Sequence, residues 1–251
     1  MNKLVKPILY DGKEITHYDL KQLTIGTLNE VSKKKEASGA IRELVNRSVA
    51  SFVSVDSSVF SSDTDVYKII SLLGYKTIEE IVFRIVRDSQ DDTGIDGVYV
   101  CPRCGESQEQ IDFLEDIDIR YVESLNNEYK IELEKALEIV SKDGKEVVTD
   151  FIIRMPTIVD MEKARGDQSR LYSYCLVKVN EEIIARQWID VFGKRLFDAI
   201  PIKEKGFKEF TKEIQSMGLD IDRETECSNC GKTFNYKMNL ANFFASALQQ
   251  E

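Results

Sequence analysis

Two stretches decide how this chain closes: VCPRCGES, residues 100–107, and ECSNCGKT, residues 226–233. Each holds two cysteines separated by two residues, with a glycine directly after the second. Between Cys104 and Cys227 lie 122 residues. A Cys-x-x-Cys turn lets two sulfurs converge on one metal ion, and the following glycine lets the backbone fold back so that amides point at the sulfurs. Two such turns make a four-thiolate tetrahedral set, so Cys101, Cys104, Cys227 and Cys230 are the expected ligands of one structural Zn2+, the alternatives being a transient redox or disulfide pair and no metal at all. Ribbons of this kind usually close over a few tens of residues. Here the metal would tie the middle of the chain to its C-terminal end. Loop-closure entropy grows only slowly with length, so the separation is no obstacle.

The rest of the composition is consistent with a structural metal. The chain has 251 residues, 42% of them hydrophobic, enough to bury a core without disulfides. The N-terminus, MNKLVKPILYDGKEI, is too polar for a secretory signal, which places the expected site of action in a cytoplasm, where CxxC pairs read as metal ligands. No apolar run is long enough to span a membrane. The formal net charge of -10 disfavours general binding to phosphate backbones. A catalytic zinc usually has a histidine ligand and an open position, and the one histidine, His17, reads as a solvated hairpin residue. GKT at Gly231 lacks the upstream glycine of a phosphate loop. Cys175, among apolar residues, reads as a buried inert thiol. These residues offer no obvious catalytic chemistry, so the expectation is a protein that is not an enzyme, with carboxylate catalysis as the alternative left open.

Periodicity fills in the remainder. KPILYDGKEITHY carries a DG turn between apolar runs, a hairpin signal. Leu20 to Lys33 and Ala37 to Phe52 read as helices, the latter on Ile41, Leu44, Val45, Val49 and Phe52. A helix capped at Asp63 or Thr64 stops at Gly74, and a further one opens on a Thr77–Glu80 capping box. KIELEKALEIVSKDGK, residues 130–145, reads as a short helix or charged arm, and EVVTDFIIRMPT, residues 146–157, as a strand. NEEIIARQWIDVFGKRLFDAI, residues 180–200, is a broad amphipathic helix broken at Pro201, followed by a helix carrying Phe207, Phe210, Ile214 and Met217. LANFFASALQQE, residues 240–251, closes the chain as a short apolar helix.

The fold class expected from this pattern is α+β, mainly helical, with a small β unit carrying a split four-cysteine zinc-ribbon-like site. Two regions are expected: residues 1–97, a hairpin and helical region, and residues 98–251, a β/zinc-knuckle region with a helical C-terminal half. The helices would form a bundle around the β unit, and the two knuckle regions would pair with each other as short antiparallel strands.

The order of motifs adds a resemblance. FRIVRDSQ runs into CPRCGESQEQIDF, then come FIIRMPT, helical segments, the second cysteine pair and LANFF. Arg87 and Ser89 before the first pair, and Arg154-x-Pro156 in the extended segment, resemble the pattern of the baseplate hub proteins of T-even type contractile-tailed bacteriophages, over roughly residues 60–245. The resemblance implies a late protein of virion assembly, either a tail baseplate hub component or a hub assembly factor. Its partners would be other tail and hub proteins, in the host cytoplasm during assembly or in the virion baseplate, with an oligomer compatible with either role. Candidate partner-binding residues are Phe243, Phe244 and Leu248, with the outer part of the Trp188 helix beside them. The rival class is a zinc-ribbon protein that binds nucleic acid or a transcription complex, carried by Lys232, Phe234, Tyr236 and Lys237.

Overall fold

The computed structural model describes residues 1–89, 94–184, 186–201 and 203–238. The opening hairpin forms as the DG signal requires. β1 (Asn2–Tyr10) and β2 (Lys13–Leu20) are joined by Asp11 and Gly12, whose φ angles of 49° and 71° match the twist of the flanking strands. α1 (Ile25–Ser32) begins where the Thr24 hydroxyl accepts from the Thr27 amide. α2 (Ala37–Ser48) leads directly into β3 (Val49–Ser54), and β4 (Val59–Phe60) completes a four-stranded sheet in the order β1-β2-β3-β4. α3 (Asp63–Leu72), capped by Ser62, and α4 (Tyr75–Arg87) pack against that sheet. Tyr18, Phe52, Ile69, Leu73, Ile81 and Phe83 are fully buried in the core between them.

The second half is built on another sheet. β5 (Gly94–Val100) and β6 (Ser107–Phe113) make a free-standing hairpin, and β7 (Ile119–Arg120) follows. β8 (Glu128–Ser141) and β9 (Gly144–Arg154) are long antiparallel partners. α5 (Ile158–Ala164) and α6 (Gln168–Tyr174) return the chain to β10 (Leu176–Val179) and β11 (Glu182–Ile183), in the sheet order β11-β10-β9-β8. α7 (Arg186–Trp188), a π turn (Ile189–Gly193) and α8 (Lys194–Ala199) make one continuous helical stretch, followed by α9 (Lys205–Gln215). These helices cover the sheet and share its core of Phe151, Ile153, Leu196, Phe210 and Met217. β12 (Gly218–Leu219) pairs with β7, and β13 (Asp222–Glu226) and β14 (Thr233–Lys237) form the last hairpin.

The mainly helical expectation is overturned. Fourteen strands in several small sheets are present among the described residues, so the protein is a mixed α/β structure rather than a helical bundle around a small β unit. Two segments account for much of the difference. Residues 130–141, rich in Glu, Lys, Ala and Leu, have helical propensity but form β8. There Ile131 and Ile139 are buried against the sheet, and the two-residue turn Lys142–Asp143 fixes the pairing with β9. The helix expected to reach Phe52 ends at Ser48, because Val49 and Phe52 are β-branched or aromatic and bury themselves as a strand beside β2. The expected capping box at Thr77 is absent: α4 starts at Gly74–Tyr75, and Glu80 points inward to the Tyr18 hydroxyl. A capping box does exist at Thr157–Asp160, opening α5.

Candidate metal centre

Each cysteine pair sits in the turn of its own hairpin, and the two turns are built alike. The Cys101 amide donates to Glu106 O at 2.9 Å and the Gly105 amide to Cys101 O at 2.9 Å. The Cys227 amide donates to Lys232 O at 3.0 Å and the Gly231 amide to Cys227 O at 2.9 Å. Gly105 and Gly231 both take positive φ, 77° and 61°, which an L side chain rarely adopts, so the glycine after each second cysteine is a backbone requirement.

The turns meet face to face. Cys104 Sγ lies 3.6 Å from Cys227 Sγ, and Cys101 Sγ lies 3.9 Å from Cys230 Sγ. All four sulfurs lie within 4.8 Å of one another, and all four cysteines are free. A disulfide would require about 2.05 Å. Metal–sulfur bonds near 2.3 Å in a tetrahedron put sulfurs about 3.8 Å apart, close to the two cross-turn distances. The donor set therefore fits a metal ion held by four thiolates. Cys101 and Cys227 are buried, Cys230 is half-buried and Cys104 is exposed.

The electrostatics ask for a cation. The amides of Cys104 and Arg103 pull the Cys101 thiol down to about 7. At Cys230 the Lys232 amide acts in the same direction, but burial and the neighbouring sulfurs of Cys227, Cys104 and Cys101 outweigh it and push the thiol up to about 11. The first thiol ionises near neutrality and a later one resists. A bound divalent cation removes that mutual repulsion.

The hairpins do not pair as strands with each other, as the sequence reading expected. Each is closed on itself, and side chains join them. Buried Asp112 on β6 accepts from Tyr99 Oη at 3.1 Å and, across the junction, from Tyr236 Oη at 2.7 Å. The Ser228 amide donates to Gln108 Oε1 at 3.0 Å, and Asn229 Nδ2 lies 3.8 Å from Cys104 Sγ. Below the hairpins, the β7–β12 pair, the Arg120–Asp220 ion pair and the Arg223 guanidinium on Asp116 O at 2.7 Å continue the seam. Sequence reasoning missed Asp112, Gln108 and Tyr99. The one available signal was position: Gln108 stands four residues after Cys104, as Phe234 stands four after Cys230, and both are buried.

The other singled-out residues have local roles. Arg154 makes a bidentate pair with buried Asp160 at 2.6 and 2.9 Å and donates to Tyr174 O at 3.1 Å. Arg87 pairs with Asp88 at 2.9 Å and lies over the Phe83 ring, and Ser89 Oγ donates to Val86 O. His17 is inside β2 with its Nδ1 2.9 Å from Thr16 Oγ1. Cys175 is fully buried, and burial pushes its thiol far up. Phe234 is buried and Tyr236 is engaged with Asp112, so these two aromatics are occupied within the fold. Trp188 packs against the second core beside Phe192. Phe243, Phe244 and Leu248 lie outside the described residues. No helix among the described residues is long and apolar enough to cross a membrane. Comparison with known proteins finds no matching family model, no matching curated protein and no matching solved structure.

Proposed function

We propose that the protein is a non-enzymatic assembly protein of a contractile-tailed phage, a baseplate hub component or hub assembly factor, and that the ion at its four cysteines is structural zinc. The observation that carries the reading is the cluster of four sulfurs at tetrahedral separations, which fills every position around a zinc ion and leaves none for a substrate. Such a centre holds a shape. Here it joins two hairpins whose second cysteines are 126 positions apart in the chain, at residues 104 and 230. Zinc is favoured over other metals because an all-thiolate tetrahedral set suits it and the site lacks the imidazole or carboxylate ligands of open catalytic centres.

The assembly role is supported by the order of motifs that resembles the hub family, with Arg87, Ser89, Arg154 and Pro156 in the matching places. It is also supported by the surface. Val98, Val100, Ile111 and Phe113 project from one face of the first hairpin, each at least half exposed. Apolar side chains grouped in this way suit contacts with another protein. Partner contacts at Phe243, Phe244 and Leu248 belong to the same proposal.

The test is recovery of the tagged protein from infected cells, with mass spectrometry of what comes with it and metal analysis of the purified chain. Tail and hub subunits together with one zinc per chain are the expected result. Partners that vanish on nuclease treatment would replace this reading with the nucleic-acid one, and a chain purified under mild conditions without zinc would remove the staple.

A further inference from the structure

Two depressions meet at the Arg154–Asp160 pair. The first, about 550 Å³, lies between the two cores and exposes Leu72, Leu125, Val159 and Lys163 among its walls. The second, about 630 Å³, is rimmed by Lys163, Arg165, Arg170 and Arg186, with Tyr174 and Ile189 beside them. Arg154, Asp160 and Lys163 line both, so they form one groove with an apolar end and a basic end.

The charges of the basic end are largely uncommitted. Asp160 is taken by Arg154, and Glu162 by Arg42 at 3.0 Å. Lys163, Arg165, Arg170 and Arg186 make no ion pair among the described residues, and Glu36 and Asp190 are the two acids left on the walls. Four free cations against two free acids stand in a chain whose net charge is -10. Unpaired guanidinium groups in a concavity are forks shaped for carboxylates, as Arg154 shows within the same groove by holding Asp160 with two bonds.

We propose that this groove is a docking site for an acidic, partly apolar segment of a partner protein. Its carboxylates meet Lys163, Arg165, Arg170 and Arg186, and its apolar side chains lie against Leu72 and Leu125, which are 47% and 39% exposed. The apolar end and the acids Glu36 and Asp190 favour a peptide over a phosphate backbone, which is charged along its whole length. The inference holds whether or not the protein acts in phage assembly.

The experiment uses the full chain and a fluorescein-labelled peptide of repeating Glu-Leu-Glu, read by anisotropy. A matched Gln-Leu-Gln peptide and a labelled single-stranded DNA oligonucleotide run beside it. The acidic peptide is expected to bind, with affinity falling as salt rises. The double variant Arg165→Glu/Arg170→Glu is expected to weaken it by about tenfold or more, while Lys142→Glu, outside the residues that line the groove, leaves it unchanged. Leu125→Asn is expected to weaken it as well, through the apolar end. All four substituted residues are exposed, and Arg170→Glu/Arg186→Glu provides a second charge reversal if the first fails to fold. No binding of the acidic peptide, equal binding by the charge-reversed variants, or tighter binding of the oligonucleotide would each overturn the proposal.

Discussion

Tyr99 and Tyr236 lie with ring centroids 4.0 Å apart and 38° between their planes, and their hydroxyls share the two carboxylate oxygens of Asp112. The contact joins the two hairpins without using the metal. Asp112→Ala would leave both hydroxyls without this acceptor in a half-buried place, at a cost of about 2 kcal/mol. Tyr236→Phe keeps the ring contact and leaves Tyr99 as the carboxylate's donor, so its cost is expected to be about half of that. Thermal unfolding of both variants measures the order. The rate at which a chelator removes the metal should rise in the same order, because the hairpins separate more readily.

Metal removal follows from the sulfur geometry. Four free thiols within 4.8 Å of one another have no covalent bond to hold them, so chelation is expected to loosen the second hairpin against the first, leaving the Asp112 contacts to hold the junction, and to broaden the unfolding transition. Thiol alkylation reports it directly. With metal bound, the cluster should react slowly. After chelation, four of the five cysteines should be modified under native conditions, and Cys175, fully buried, should react only in denaturant. Acid should mimic the chelator, since protons compete for thiolates. Labelling of Cys175 at the same rate as the other four would contradict the described packing.

Glu80 supplies a pH dependence. It is fully buried, accepts from Tyr18 Oη at 3.0 and 2.9 Å and pairs with Arg84, whose guanidinium also reaches Tyr121 Oη at 3.1 Å. Burial raises its carboxyl above the ordinary value of 4.5, against the opposing pull of Arg84 and Tyr18. The raised value means that the folded state holds this proton more tightly than the unfolded state. The stability Glu80 contributes by that route is fully present below 4.5 and is lost as pH rises through the folded value. Glu80→Gln removes the titration. Denaturant unfolding from acid to neutral pH should show the variant gaining on the parent as pH rises, because the amide carries no titrating proton. Parallel curves would mean that the group does not titrate across that range.

The four-cysteine cluster was legible in the sequence because Cys-x-x-Cys-Gly states both thiols of each pair and the backbone turn, and a shared metal ion would bring distant thiols together regardless of what lies between. Asp112 and Gln108 were not legible, because a polar residue on a short strand looks the same whether it faces water or a facing hairpin. The opening hairpin was legible from Asp11–Gly12. The strand β8 was not, because Glu, Lys, Ala and Leu favour a helix locally. The deciding contribution, pairing with β9 and burial of Ile131 and Ile139 against the second core, is tertiary. The same conflict explains why the whole was expected to be mainly helical: periodicity found helices such as α4 and α9 and passed over strands whose partners lie elsewhere in the chain.

Gly193, in the π turn between α7 and α8, tests how tightly the second core is closed. A Cβ added there would stand 2.9 Å from Ser173 Cβ on α6. Carbon atoms not bonded to each other settle at about 3.5–4.0 Å, so one helix must move. Ser173 has little room to yield: it is 2% exposed and its hydroxyl donates to Arg170 O at 2.7 Å. Alanine in a helix is intrinsically better than glycine by about 1 kcal/mol, whereas overpacking a core costs about 1–3 kcal/mol. With backbone strain transmitted to α6, the second is expected to win, and Gly193→Ala should lower the unfolding free energy by about 1 kcal/mol. Ser173→Gly opens the space the methyl needs, so the double variant should recover part of the loss relative to the sum of the single ones. A double-mutant cycle by denaturant unfolding measures that coupling. Strict additivity would mean that α6 and the π turn do not press on each other at this point.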